Sequence, residues 1–214
     1  DFNDPNNIII YPEIVADNPC GVKNVVRYLL YHVSPERYSK EDMLVAYTEN
    51  FKRGMPDDTH VMTIVEPKVD FFYDQGHEKK GDCYIEKKNS GAGHIHSSAA
   101  YRLSGQETDD ELLRIFNQYK RFYSYDNETY LNTIAALCGC ESVIVPGPDK
   151  RREDIIDKQP VLKYGVAFGI EDLEWANSTR DKVREGLAEF GQVSKQQFLD
   201  FIEITKEKFI KGIT

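Results

Sequence analysis

The chain has 214 residues, 40% of them apolar, 12% aromatic and 29% charged, with a mean hydropathy of −0.56. That balance supports a buried core and excludes a disordered or collagen-like chain, and no apolar run nears the ~20 residues of a membrane-spanning helix. A net charge of −9 and a pI near 5.1 repel a phosphate backbone at long range, which argues against nucleic acid as a partner.

A small phosphorylated ligand stays open, because a few lysines and a helix N-terminus hold a diphosphate locally whatever the net charge. Cys20, Cys83, Cys138 and Cys140 read as reduced thiols, since Cys138 and Cys140 stand too close for an easy bridge and no CxxC partner exists. No charged-then-apolar leader opens the chain, so a cytoplasmic address is expected. Its first residue is Asp1 rather than methionine, which suggests neighbouring domains in a larger polypeptide or a processed product.

Residues 8–15 (IIIYPEIV) read as a strand and residues 16–21 (ADNPCG) as a turn. Val22, Val25, Val26, Leu29, Leu30 and Val33 then recur at helical spacing and predict a helix with Lys23, Asn24 and Arg27 on an outer, basic face. Strands are expected at 43–47, 60–65, 69–73 and 83–86, with turns at 54–58 and 74–76, the second marking a lobe boundary. Residues 87–98 (KKNSGAGHIHSS) form a Gly- and Ser-rich loop of the kind that carries ligands on a rigid sheet.

Residues 108–111 (TDDE) make a capping box, opening a helix whose apolar face is Leu112, Leu113, Ile115, Phe116 and Tyr119. A βαβ unit follows, with a strand at 122–125, a helix at 128–138 closed by Gly139, and a strand at 142–145 stopped by Pro146. A short strand at 165–168 leads to helices over 171–190 that end at Gly191. Ser194 with Gln197 reads as a second capping box, stapled by Val193 against Phe198 and opening the last helix. Strands alternating with helices predict a mainly parallel α/β fold.

Such a sheet binds its ligand at the carboxyl ends of the strands, so the residues after each strand are the candidates. Asn18 and Gly21 precede the first expected helix, where free N–H groups either meet an anion or form a simple N-cap. Lys87 and Lys88, followed by Asn89-Ser90-Gly91, either hold a diphosphate or stand as a solvated pair. Residues 123–129 (YSYDNET) crowd hydroxyls and a carboxylate between a strand and a helix, more than capping alone requires.

Residues 123–146 (YSYDNETYLNTIAALCGCESVIVP) resemble the donor-binding segment of GT-B-fold glycosyltransferases, nearest to those of bacterial and viral polysaccharide synthesis. There an acid in a turn precedes a small-residue helix, a glycine and a strand ending in proline. Further matching pieces keep the family's order: 11–15 (YPEIV), Asn18-Pro19, 23–27 (KNVVR), 83–85 (CYI) with its lysines, and 165–169 (GVAFG). The resemblance implies a GT-B-like α/β fold of two Rossmann-type lobes with mainly parallel sheets. A reduced acceptor-side lobe would occupy 1–76 and a donor-binding lobe 77–214, with the ligand in the cleft.

It also implies transfer of a hexose, or a deoxyhexose such as rhamnose, from a nucleoside-diphosphate sugar to a glycan acceptor. The donor contacts would fall on Asn18, Gly21, Lys87, Lys88, Ser124, Tyr125, Asp126 and Thr129. Asp126 takes the place of the first acid in the family's E-x7-E motif, whereas Ile134 stands where the second acid belongs. Lys87 and Lys88 would stabilise the departing nucleotide without metal. No Asp-x-Asp follows a strand, and no Cys or acid near His94 and His96 completes a zinc set, so no metal or other cofactor is expected. The two histidines either touch the acceptor sugar or face solvent.

An inverting reaction needs a base, and Glu13 and Asp17 are the acids nearest the end of the first strand; each is as readily a cap or an ion-pair partner, and a retaining reaction needs neither. The rival is a lectin-like module that uses the 13 tyrosines without a nucleotide site. An oxidoreductase or methyltransferase is disfavoured, because no GxGxxG follows the first strand.

Overall fold

The computed structural model describes residues 4–64, 68–86, 91–126, 129–156 and 160–210. The chain divides into two compact units, one of residues 1–66 with 191–214 and one of residues 67–190. The first boundary falls earlier than 76/77 because Phe72, fully buried, belongs to the core of the second unit. The chain also returns to the first unit after residue 190, where Phe201 joins a cluster with Val26, Met43, Val45 and Met62.

In the first unit, β1 (Ile8–Pro12), β2 (Asn24–Leu29), β3 (Met43–Ala46) and β4 (His60–Val61) form a parallel sheet in the order β1-β2-β3-β4. The helix expected from Val22 onward is instead the strand β2. Both faces of a central parallel strand are covered, so it reads as a nearly continuous apolar run without period-2 alternation. Asn24 and Arg27, expected on an exposed face, are buried. Arg27 Nε lies 2.7 Å from Asp42 Oδ2, and its Nη1 donates to the carbonyls of Val15 at 2.6 Å and Asp17 at 3.0 Å. The connections carry only a 3-10 turn (Pro35–Arg37) and the one-turn helix α1 (Glu49–Lys52).

The second unit holds β5 (Asp82–Ile85), β6 (Tyr101–Arg102), β7 (Arg121–Ser124), β8 (Glu141–Ile144) and β9 (Val166–Phe168), all parallel, in the order β6-β5-β7-β8-β9. Residues 69–73, expected as a strand, form none: 69–71 make a turn, and the amides of Phe71 and Phe72 donate to the Lys68 carbonyl. Helix α2 (Asp109–Gln118) starts at the expected capping box, where Thr108 Oγ1 accepts from Glu111 N at 3.3 Å and Glu111 Oε2 accepts from Thr108 N at 2.8 Å. Helix α3 (Leu131–Leu137) ends at Gly139 as expected: Cys140 N donates to Ala135 O and Gly139 N to Ala136 O, the paired bonds of a Schellman cap. Gly139 has φ +77°, which an L side chain rarely adopts.

Alternation along β7 and β8 separates two apolar layers. Cys83, Ile85 and Phe122 pack with Leu112, Ile115 and Phe116 of α2 and with Ile134 and Leu137 of α3. On the opposite face Tyr123, Tyr125, Val143 and Ala167 pack with Ala176 of α5 (Leu173–Thr179). Helix α4 (Arg152–Ile155) adds Ile155 to a third cluster with Ile144 and Val166. The second unit is thus an α/β layer structure with helices on both faces.

The last helix, α6 (Val183–Phe209), runs unbroken through Gly191. Val183, Leu187 and Phe190 are buried before the glycine and Ser194, Phe201 and Thr205 after it, and this anchoring outweighs the ~1 kcal/mol that a mid-helix glycine costs. Ser194 and Gln197 therefore cap nothing: Ser194 Oγ donates to Thr63 O, and Gln197 Oε1 accepts from Thr63 N. Val193 and Phe198 are both exposed, so no staple forms. Among the described residues no helix is long and apolar enough to cross a membrane.

Candidate functional site

Strand order selects where a ligand can sit. In the first unit the order never reverses. In the second, the chain leaves β5 for β6 on one side and then crosses to β7 on the other. Adjacent loops therefore part at the carboxyl ends of β5 and β7, and an open α/β sheet has its crevice at such a reversal. The residues beyond those ends are Glu86 after β5, and Tyr125 and Asp126 after β7.

The β5–β6 connection carries no helix among its described residues, and its segment 91–97 folds over the exposed face of β5. His96 stacks on Tyr84, with ring centroids 3.9 Å apart and planes 16° from parallel. The Tyr125 hydroxyl accepts from Ile95 N at 2.9 Å and lies 2.7 Å from His96 Nδ1. Burial pushes the Tyr125 phenol above its ordinary pKa, so it keeps its proton and remains a donor. That phenol is almost fully buried and needs an acceptor, which His96 Nδ1 supplies. Burial first, and then the neighbouring His94, push His96 below the ordinary histidine value, while Asp82 and Glu86 oppose them. His96 is accordingly the neutral ring that this bond requires. His94 Nε2 lies 3.2 Å from Glu86 Oε2, and the two histidine rings are 4.9 Å apart.

Of the residues expected in the site, Tyr125, Asp126, His94 and His96 gather at this edge. Ser124 is fully buried, and its hydroxyl bonds the backbone of Asp126. Thr129 Oγ1 accepts from Leu131 N at the start of α3. Ser124 thus braces the backbone at Asp126, whereas Thr129 braces the start of α3. Lys87 and Lys88 lie outside the described residues.

Asn18, Gly21, Glu13 and Asp17 lie in the first unit, and the helix that was to present Asn18 and Gly21 to an anion is absent. Asn18 accepts from the Tyr11 hydroxyl at 3.1 Å and donates to Val22 O at 2.8 Å, while Gly21, at φ +63°, closes the turn on Asn18 O. Glu13 is buried and its carboxylate accepts from Leu30 N at 3.1 Å, the cap role that its position left open. Asp17 gives its carbonyl to Arg27.

Sequence reasoning passed over Glu86 and Tyr84, and also the basic run Lys150-Arg151-Arg152 beyond β8. Lys150 and Arg151 are exposed; Arg152 pairs with Asp172 at 3.3 Å and lies over the Trp175 ring. A Cβ on Gly91 would stand 3.7 Å from Pro148 Cδ, so the loops after β5 and β8 adjoin. The rule that sites follow strands extends to 150–152, in the loop that follows the strand stopped by Pro146.

Among the described residues no three of His, Cys, Asp and Glu converge to hold a metal ion. No family model, curated protein or solved structure matches the chain.

Proposed function

We propose that the chain is a GT-B-type glycosyltransferase that uses a nucleoside-diphosphate hexose or deoxyhexose, and that the second unit binds this donor at the carboxyl ends of β5 and β7. One observation carries the reading: the reversal of strand order falls where Asp126, Glu86, His94 and His96 follow the strands, with Lys150 and Arg151 in the loop beyond the next strand. A carboxylate accepts hydrogen bonds from sugar hydroxyls. Cations at the diphosphate stabilise the negative charge that grows on the departing nucleotide, an effect of about 3–4 kcal/mol for a well-placed group. Lys150 and Arg151 supply such cations in this reading, and the family resemblance adds Lys87 and Lys88 to them.

Calorimetric titration with UDP-, GDP- and dTDP-hexoses tests it. Binding of one donor, weakened about tenfold or more by Lys150→Ala with Arg151→Ala, is the expected result. Glycan binding with no affinity for any nucleotide sugar would turn the assignment to a lectin-like module.

A further inference from the structure

The donor reading leaves open which group takes the proton of the attacking hydroxyl. In the first unit the Glu13 carboxylate already accepts from the Leu30 amide. At the β5/β7 edge two imidazoles expose opposite chemistry. His94 points Nε2 at the Glu86 carboxylate at 3.2 Å, so the proton sits on Nε2 and the lone pair on Nδ1, which has no partner among the described residues. His96 accepts the Tyr125 proton on Nδ1 at 2.7 Å, so its own proton sits on Nε2. One tautomer on both rings thus presents a proton acceptor from His94 and a hydrogen-bond donor from His96. The ring centroids lie 4.9 Å apart, so both imidazoles border the same stretch of the β5/β7 edge. The His94 side chain is half exposed, which leaves it open to an incoming hydroxyl.

We infer that His94 is the proton acceptor of the transfer, oriented by Glu86, and that His96 Nε2–H holds the same acceptor oxygen in line. The inference rests on the glycosyltransferase reading. In the step, the acceptor oxygen forms a bond to the anomeric carbon and its proton passes to His94 Nδ1. The bond from the anomeric carbon to the diphosphate oxygen breaks, its electron pair leaving with the nucleoside diphosphate, and the configuration inverts. A carboxylate behind an imidazole fixes its tautomer and stabilises the imidazolium that forms, so Glu86 is the positioning residue. Among the described residues, the charged and titratable groups around the pair are Glu86, Asp82, Tyr84, Tyr123 and Tyr125.

The experiment uses the full chain with water as acceptor, reading hydrolysis of whichever UDP-, GDP- or dTDP-hexose binds, beside long-range proton–nitrogen spectra of the histidine rings. His94→Ala should lower hydrolysis by roughly 10²-fold or more while donor Kd changes by less than about threefold, and added imidazole should restore part of the rate. In the unliganded wild type both neutral rings should carry the proton on Nε2, and Glu86→Gln should release His94 into a mixture of tautomers. Hydrolysis unchanged in His94→Ala with the donor still bound overturns the assignment, as does a neutral His94 protonated on Nδ1. Failure of every donor to bind the wild type is read separately, and it overturns the functional reading and this inference together.

Discussion

The hydroxyl of Tyr125, at the end of β7, reaches back 2.7 Å to His96 Nδ1 and so ties the 91–97 loop onto the sheet. The same oxygen takes the Ile95 amide, so a single buried phenol fixes two consecutive loop residues. The bond in this direction, from the phenol to Nδ1, exists only while His96 is neutral.

The first prediction concerns acid. The folded pKa of His96 lies below its ordinary 6.5, so between those values the unfolded chain binds more protons than the folded one. The contribution is therefore complete above 6.5 and is lost as pH falls below it toward the folded value. Protection of the Ile95 amide from hydrogen exchange should drop between pH 7.5 and pH 5. In Tyr125→Phe it should be low at both, because the acceptor of that amide is gone. Equal protection of Ile95 in the wild type and Tyr125→Phe would contradict the tether.

A second prediction follows from Arg27, whose side chain is buried with Asp42 and lies over the rings of Tyr11 and Tyr38. It also holds the carbonyls of Val15 and Asp17, and so pins the whole β1–β2 loop. Arg27→Ala should cost about 3–5 kcal/mol in urea unfolding, since it leaves Asp42 buried without its cation. Adding Asp42→Leu should recover part of that loss. Full additivity of the two changes would show that the pair is not coupled.

Gly139 gives a third. A Cβ there would overlap the Asp74 carboxylate, at a φ of +77°. Asp74 is itself anchored by Lys79 Nζ at 2.5 Å and Gly76 N at 3.0 Å, bonds that hold its carboxyl below the ordinary range against the opposing push of burial. Gly139→Ala should destabilise by about 1–3 kcal/mol. Gly93→Ala, with no atom within 4 Å of the new Cβ, should stay within about 0.5 kcal/mol of wild type. Thermal melts of the two variants make the comparison.

What could be read from the residues was local chemistry. The Thr108 and Glu111 capping box, the Gly139 cap and the strands on either side of α3 each depend on neighbours within a few positions, and each stands where expected. Residues 22–29 misled because a parallel strand covered on both faces loses its period of two, and its valines then also match helical spacing. Gly191 misled because the contacts that carry α6 past it are tertiary. The candidate site is half legible in the sequence. Tyr125 and Asp126 are candidates under the rule that ligands meet strand ends, and the two histidines as part of the Gly- and Ser-rich loop. That β5 and β7 are neighbours with the order reversing between them is a property of the assembled sheet, and no local pattern encodes it.

The central claim is that a nucleotide sugar binds at the carboxyl ends of β5 and β7. The most direct measurement is an amide NMR titration of the full chain with whichever UDP-, GDP- or dTDP-hexose binds in calorimetry. Saturable shifts are expected at Ile95, Tyr125, Asp126 and Lys150, lost in Asp126→Ala, with the amides of Asn18, Gly21 and Leu30 unmoved. Shifts confined to residues 13–30, or no shift at 95, 125 and 126 while the donor is bound, would contradict it.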